Sequence, residues 1–223
     1  MDRPITRIKL SARLASVAKL IKNGNIIDVG SDHAYLSCFL LTNHLIRFAY
    51  NIDINELPLK RGVDNVRKCK VGSHCKNILA DGLQTTQINK VIDYCVIAGM
   101  GGKNIVDIIK QKNPNIKINN FILVPNNNAK LVRQFLAKHQ YRISYEEIIQ
   151  DHDYFYELIV ASKTRGLFIK NVASIYFGPY NLLYPSPSFQ EMLRVRKAFI
   201  EREQLHIKNQ NYAREWKLLK GIK

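Results

Sequence analysis

Short runs of β-branched and aromatic residues alternate with longer segments whose apolar side chains recur every three or four positions, from Leu10 as far as Gln140. Leu10, Leu14, Val17 and Ile21 fall at helical spacing and predict a first helix, which Asn23-Gly24 stops just before a strand. Strands are then expected over 25–29, 47–53, 76–80, 93–100 and 120–124, and helices over 33–43, 57–69, 103–112 and 129–140, with Pro58 near a first turn. This alternation predicts a parallel sheet covered by helices on both faces.

The pattern changes after residue 140. "YRISYEEIIQ" and "YFYELIVASK" are two extended runs separated only by "DHD", too short for a helical crossover, so they must pair as an antiparallel hairpin. A parallel sheet closed by such a hairpin resembles the class I S-adenosylmethionine-dependent methyltransferase fold, an α/β Rossmann-like architecture, more than a dinucleotide-binding dehydrogenase. Beyond Lys163 the turn-rich piece "FGPYNLLYPSPS" leads into a charged helical tail from Phe189. There Leu193, Ile200 and Ile207 repeat every seven residues, with Met192 and Phe199 on a neighbouring stripe. The repeat predicts a small C-terminal helical or coiled-coil arm, either one helix or a hairpin bent near 209–211. The expected organisation is a Rossmann-like domain over 1–165, a connector over 166–188 and the arm over 189–223.

Composition narrows the class. No apolar run approaches the roughly 20 residues needed to span a bilayer, so no membrane partner is expected. The basic N-terminal segment has the character of a mitochondrial presequence, but its helical spacing favours a first helix of the domain, and a cytoplasmic location is expected. Cys38, Cys69, Cys75 and Cys95 form no CxxC pair, which argues against a zinc site or a disulfide framework, and no metal is expected. The net charge of +16 favours a polyanionic partner, although a basic surface also serves solubility alone.

In a doubly wound sheet ligands bind beyond the carboxyl ends of the strands, and the chain's unusual residues stand there. Gly30 follows the first strand, where a missing Cβ lets backbone approach a ligand. Asp53 closes the second strand, near the spacing at which an acidic side chain accepts from ribose hydroxyls, and Asp81-Gly82 closes the third. Each aspartate alone would serve as a helix cap; three strand-end carboxylates together, Asp28 of the first strand with Asp53 and Asp81, are harder to explain so. Asp28 and Asp32 in "IIDVGSDHAYL" would repel a pyrophosphate but not a sulfonium and an ammonium, which favours S-adenosylmethionine over a nicotinamide cofactor. "IAGMGG", with Gly99, Met100 and Gly101, is a glycine-rich opening where cofactor and target would meet.

Taken in order, "DVGSDHAYL", "NID", "ADGL", "VIAGMGG", Pro125-Asn126, "YELIVA" and "YFGP" resemble the bacterial TrmK family, the tRNA (adenine-22-N1)-methyltransferases, with "GSDHAYL" and "AGMGG" the specific blocks. The resemblance implies methyl transfer from S-adenosylmethionine to N1 of an adenine in the D-arm region of tRNA, leaving S-adenosylhomocysteine, by a monomer. It implies that Asp28 and Gly30 shape the cofactor loop, that Asp53 holds the ribose, and that Asp81 and Gly82 frame the cofactor adenine. Gly99, Met100 and Gly101 would complete the cofactor site, while Asp32, His33 and Asn126 would face the target base as catalytic residues. Asp32 is the candidate for stabilising the charge that develops on the methylated base. Arg7, Lys9 and Arg13 near the first helix and Arg194, Arg196 and Lys197 in the arm would hold the RNA backbone. One departure stands out: members of the family often carry Gln where this chain has Val124. The alternatives are a methyltransferase of another RNA and a non-catalytic RNA-binding relative.

Overall fold

The computed structural model describes residues 8–152, 154–204 and 210–222. Arg7, Ile207 of the heptad stripe and Asn209 of the expected bend lie outside the described residues.

Five strands, β1 (Asn25–Val29), β2 (Phe48–Asp53), β3 (Cys75–Leu79), β4 (Ile92–Ala98) and β5 (Ile118–Val124), run parallel, and the hairpin β6 (Arg142–Asp151) and β7 (Tyr154–Ser162) joins them antiparallel through β7 on β5. A two-residue strand β8 (Leu167–Phe168) extends β6, giving the order β3-β2-β1-β4-β5-β7-β6-β8. The chain winds outward from β1 to β3 and returns to β4 beside β1, so the switch point that opens a ligand cleft lies between β1 and β4.

Helices α1 (Ala12–Leu20), α2 (Tyr35–Thr42) and α3 (Glu56–Lys68) cover one face, and α4 (Gly102–Lys110) and α5 (Ala129–Lys138) the other. Alternate strand residues supply the two cores. Ile26, Val96, Ile122 and Leu158 pack against α1 and α2, while Ile27, Cys95, Phe121 and Ile159 pack against α4 and α5. Val124 is fully buried in the first of these cores.

Local periodicity located these elements to within a few residues. The second helix starts at Tyr35 rather than His33, because Asp32 and Ala34 adopt left-handed backbone (φ +46° and +55°) and hold residues 31–34 as a turn. The fourth strand ends at Ala98, where Gly99 turns to φ +80°. The connector is more ordered than its turn-rich composition suggests. It contains β8 and two short helices, α6 (Val172–Phe177) and α7 (Pro179–Leu183). Asn171 caps α6 by accepting from the Ser174 N–H (2.8 Å). The free N–H of Tyr180 at the start of α7 donates to the buried Glu146 carboxylate of β6 (2.9 Å).

That carboxylate belongs to a buried ion cluster. Arg133 of α5 donates from Nε to Glu146 (2.7 Å) and from Nη2 to Glu157 of β7 (2.6 Å), with Nη1 reaching the Tyr176 carbonyl (3.3 Å). Burial disfavours the Arg133 charge, but the two carboxylates more than offset this and its pKa stands above its ordinary value. Burial pushes Glu146 up, against the pull of Arg133.

The arm is a helical pair, α8 (Pro187–Gln204) and α9 (Gln210–Lys220). Phe189, Ile200 and Leu219 share an apolar cluster with Ile148 of β6 and Phe177, so the arm is seated on the sheet's hairpin. Arg196 bridges α8 to α9 with two bonds to Glu215 (2.7 and 3.0 Å).

Candidate functional site

Two cavities open at the carboxyl ends of the strands. The larger, about 510 Å³, is lined by Gly30, Asp53, Ile54, Pro58, Asp81, Gly82, Met100, Asn104 and Ile108 among others. The smaller, about 320 Å³, is lined by Ser11, Arg13, Asp28, Ser31, Asp32, His33, Tyr35 and Gly99 among others. Gly30 and Asp32 line both, so the cavities adjoin across the loop after β1.

That loop is held in shape by its neighbours. Asp53 accepts from the Asp32 N–H through one carboxylate oxygen (3.1 Å) and from the Asn55 N–H through the other (3.0 Å), so it braces two loops while lining the larger cavity. Gly62 of α3 allows close approach, since a Cβ there would stand 3.1 Å from the Asp32 carbonyl. Gly30 sits at φ +69°, with the Met100 side chain over the place where its Cβ would be.

The "GMGG" loop is tied to the loop after β5. Asn126 donates from Nδ2 to the Gly99 carbonyl (2.6 Å), its N–H donates to the Met100 carbonyl (2.8 Å), and the Gly102 N–H donates to Asn127 (3.0 Å). At Gly102 a Cβ would lie 2.5 Å from the Asn128 carbonyl, which requires glycine for this packing; Gly101 serves as the helix cap before it. At Gly99 a Cβ would meet nothing within 4 Å, so its backbone faces open space at the smaller cavity.

The smaller cavity has an unusual lining. Arg13 donates from Nη1 to Asn126 Oδ1 (2.7 Å), yet its Nε is buried without a partner, as is Ser31 Oγ. Asp28 is buried, and none of its hydrogen-bonding atoms outside the strand ladder is paired among the described residues. Burial first, and the Asp53 charge second, raise its carboxyl to a pKa of about 7. Arg13 Nε, the Ser31 hydroxyl and the Asp28 carboxyl thus border one cavity with hydrogen-bonding capacity that no described protein group takes up, capacity available to a ligand.

His33 stacks on Tyr35 with ring centres 5.1 Å apart and stands 3.6 Å from the Asp32 carboxylate. Asp81 and Gly82 line the larger cavity opposite Asp53. Of the residues expected to hold RNA, Lys9 is exposed, Arg194 is paired with Glu191 on the arm surface, and Lys197 lies over the Trp216 ring. Arg196 is engaged with Glu215, and Arg13 lines the smaller cavity instead of an open backbone-binding face. Residue type alone does not mark Ser11 or Ser31 as cavity-lining, although Ser31 lies inside the "GSDHAYL" block. Asn104, Asp107, Ile108 and Gln111, which line the larger cavity, fall at i, i+3, i+4 and i+7 on one stripe of α4 and its end, a signal present in the sequence.

A profile described as TrmK, tRNA (adenine(22)-N(1))-methyltransferase, matches residues 26–221. The chain belongs to the TrmK family. It is 35% identical over 159 residues to the tRNA (adenine(22)-N(1))-methyltransferase of Bacillus subtilis, an alignment that covers 70% of this chain and 66% of that enzyme. The structure of Mycoplasma capricolum TrmK with S-adenosylhomocysteine superposes with a TM-score of 0.85 at 31% identity, covering 95% of this chain and 96% of that one. A Streptococcus pneumoniae protein solved with S-adenosyl-L-methionine gives a TM-score of 0.78 at 29% identity, covering 96% and 99%. The expected methyltransferase fold and the S-adenosylmethionine dependence of this TrmK chain are thereby borne out.

Proposed function

We propose that the chain methylates N1 of adenine 22 in tRNA, with the cofactor's adenosine in the larger cavity and its methionine tail in the smaller. The observation that carries this division is the unused hydrogen-bonding capacity around the smaller cavity: Arg13 Nε and the Ser31 hydroxyl suit an α-carboxylate, and the Asp28 carboxyl suits an α-ammonium. Asp53 retains accepting capacity for ribose hydroxyls beside its two backbone bonds, and Asp81 and Gly82 border the space for adenine.

When bound, S-adenosylmethionine supplies an electrophilic methyl group on a sulfonium. The chain's contribution is placement. Gly99 keeps side-chain bulk out of the smaller cavity, and Gly30 makes room for the Met100 side chain that lines the larger one, so the acceptor nitrogen can approach in line. The N1 lone pair forms the new bond as the sulfur–carbon bond breaks, and the positive charge passes to the base. Asp32, at the junction, is positioned to stabilise that charge. Asn126 acts as a positioning residue, fastening the Gly99 carbonyl to Arg13. Lys9, Arg194 and Lys197 contribute to a basic field that holds phosphates, giving affinity that falls with salt.

The test incubates the protein and labelled S-adenosylmethionine with unmodified tRNA transcripts and maps modified adenines by primer-extension arrest. Arrest at adenine 22 is the expected result. Label elsewhere in tRNA overturns the position, and cofactor binding without incorporation indicates a different RNA.

A further inference from the structure

The β6–β7 hairpin projects past the carboxyl edge of the sheet. β7 runs antiparallel to β5 with Leu123 opposite Ile159, so residues before Leu158 lie beyond the end of β5, on the side where the two cavities open. Alternation along β7 divides its side chains. Phe155 turns into the apolar cluster beneath the arm, whereas Tyr156 shares the face that packs against α1. Tyr154, two positions earlier, continues that face and is 68% exposed.

The two tyrosines are joined to the site through a continuous chain of contacts. The Tyr154 and Tyr156 rings lie 6.4 Å apart, and the Arg13 guanidinium sits 4.4 Å from the centre of the Tyr156 ring. Arg13 in turn holds Asn126 (2.7 Å), which holds the Gly99 carbonyl (2.6 Å). A large exposed aromatic ring is poorly served by water, and this one ends a row of contacts that leads through Tyr156 to Arg13 at the smaller cavity, in a +16 chain whose substrate is a nucleic acid of opposite charge. Single-stranded and unstacked bases are held by proteins on such rings, and an adenine presented to a cleft at N1 must leave its own pairing and stacking, which exposes the faces of its neighbours.

We propose that Tyr154, supported by Tyr156, is a stacking platform for the nucleobase next to the target adenine, compensating the stacking lost when the target enters the cleft. This rests on the methyltransferase reading above. Tyr156 orients the platform through Arg13, and Tyr154 supplies the contact face.

The test pairs Tyr154→Ala and Tyr154→Phe with tRNA transcripts that carry an abasic nucleotide on either side of the target. For Tyr154→Ala, kcat/KM for intact tRNA should fall about 5- to 150-fold, the equivalent of about 1–3 kcal/mol at 1.4 kcal/mol per tenfold. Tyr154→Phe should retain most of the activity, and S-adenosylmethionine affinity should be unchanged in both variants. One of the two abasic transcripts should be impaired with the wild-type protein but suffer no further loss with Tyr154→Ala, which is the coupling a direct contact requires. Equal kcat/KM for Tyr154→Ala and wild type, or additive losses for both abasic transcripts, overturns the platform while leaving the methyltransferase reading intact. Failure of the wild-type protein to methylate intact tRNA overturns both.

Discussion

Replacing Asp28 by Asn should have two effects of opposite sign. The Asp28 carboxyl has a pKa raised from 3.8 to about 7, chiefly by burial and then by Asp53. A carboxyl whose folded pKa lies above its unfolded value penalises the folded state; the penalty is absent below about pH 3.8, grows as pH rises, and is complete above about pH 7. At about 1.4 kcal/mol per pKa unit, the ionised side chain costs the cofactor-free protein about 4 kcal/mol at pH 8. Asp28→Asn keeps the shape and removes the charge. The gap in melting temperature between variant and wild type should therefore widen from pH 4 to pH 8 by up to about 8–16 °C, at about 2–4 °C per kcal/mol for a chain of this size. Cofactor binding should move the other way. If Asp28 receives the cofactor ammonium, wild-type affinity for S-adenosylmethionine, measured by calorimetry, should fall about tenfold from pH 8 to pH 6 relative to the variant, because the carboxylate becomes mostly protonated over that interval. At pH 8 the variant should bind more weakly than wild type while melting higher, the trade expected when a site is strained for its ligand. A melting gap that does not change with pH refutes the buried-charge argument. Wild-type affinity in Asp28→Asn at pH 8 refutes the assignment of the ammonium.

Three further substitutions separate scaffold from site. Arg133→Met strands the buried Glu146 carboxylate, leaves the partly exposed Glu157 without its partner, and should cost about 3–5 kcal/mol, read as a loss of about 6–20 °C in thermal melting; an unchanged melting temperature refutes the structural role of the cluster. Gly99→Ala places a Cβ at φ +80°, with a backbone cost of about 1–2 kcal/mol, but that Cβ points into the open space of the smaller cavity. Methylation kcat/KM should therefore fall well beyond the small drop in stability, and a variant that keeps full activity removes Gly99 from the approach path. Asp53→Ala loses the braces on Asp32 and Asn55 together with the ribose contact, so S-adenosylmethionine affinity should weaken while tRNA affinity in a filter-binding assay is retained. Parallel loss of both affinities points instead to collapse of the loop.

Much of this protein is legible in its sequence because the signals are local. Hydrophobic periodicity marks β1 to β5 and α1 to α5, the three residues between the last two long extended runs force the hairpin, and the acidic loop after β1 already disfavours a pyrophosphate. Strand ends are recognisable in the sequence, and in a doubly wound sheet strand ends are where ligands bind, so Asp28, Gly30, Asp53, Asp81 and Gly82 stand out from the sequence alone. What required the tertiary structure is pairing across long separations. Arg13 and Asn126 are 113 residues apart, and nothing in either neighbourhood shows that Arg13 lines a cavity rather than an open surface. The helix α7 forms in a turn-rich segment because Glu146, 34 residues before Tyr180, accepts its first N–H. Arg196 carries the charge expected of an RNA contact, and only the packing of α9 against α8 shows that Glu215 engages it. Sequence pattern records what each residue prefers locally, whereas the partner that completes a buried charge or a helix end is chosen by the fold, since a desolvated polar group must be satisfied by whatever the packed chain brings within reach.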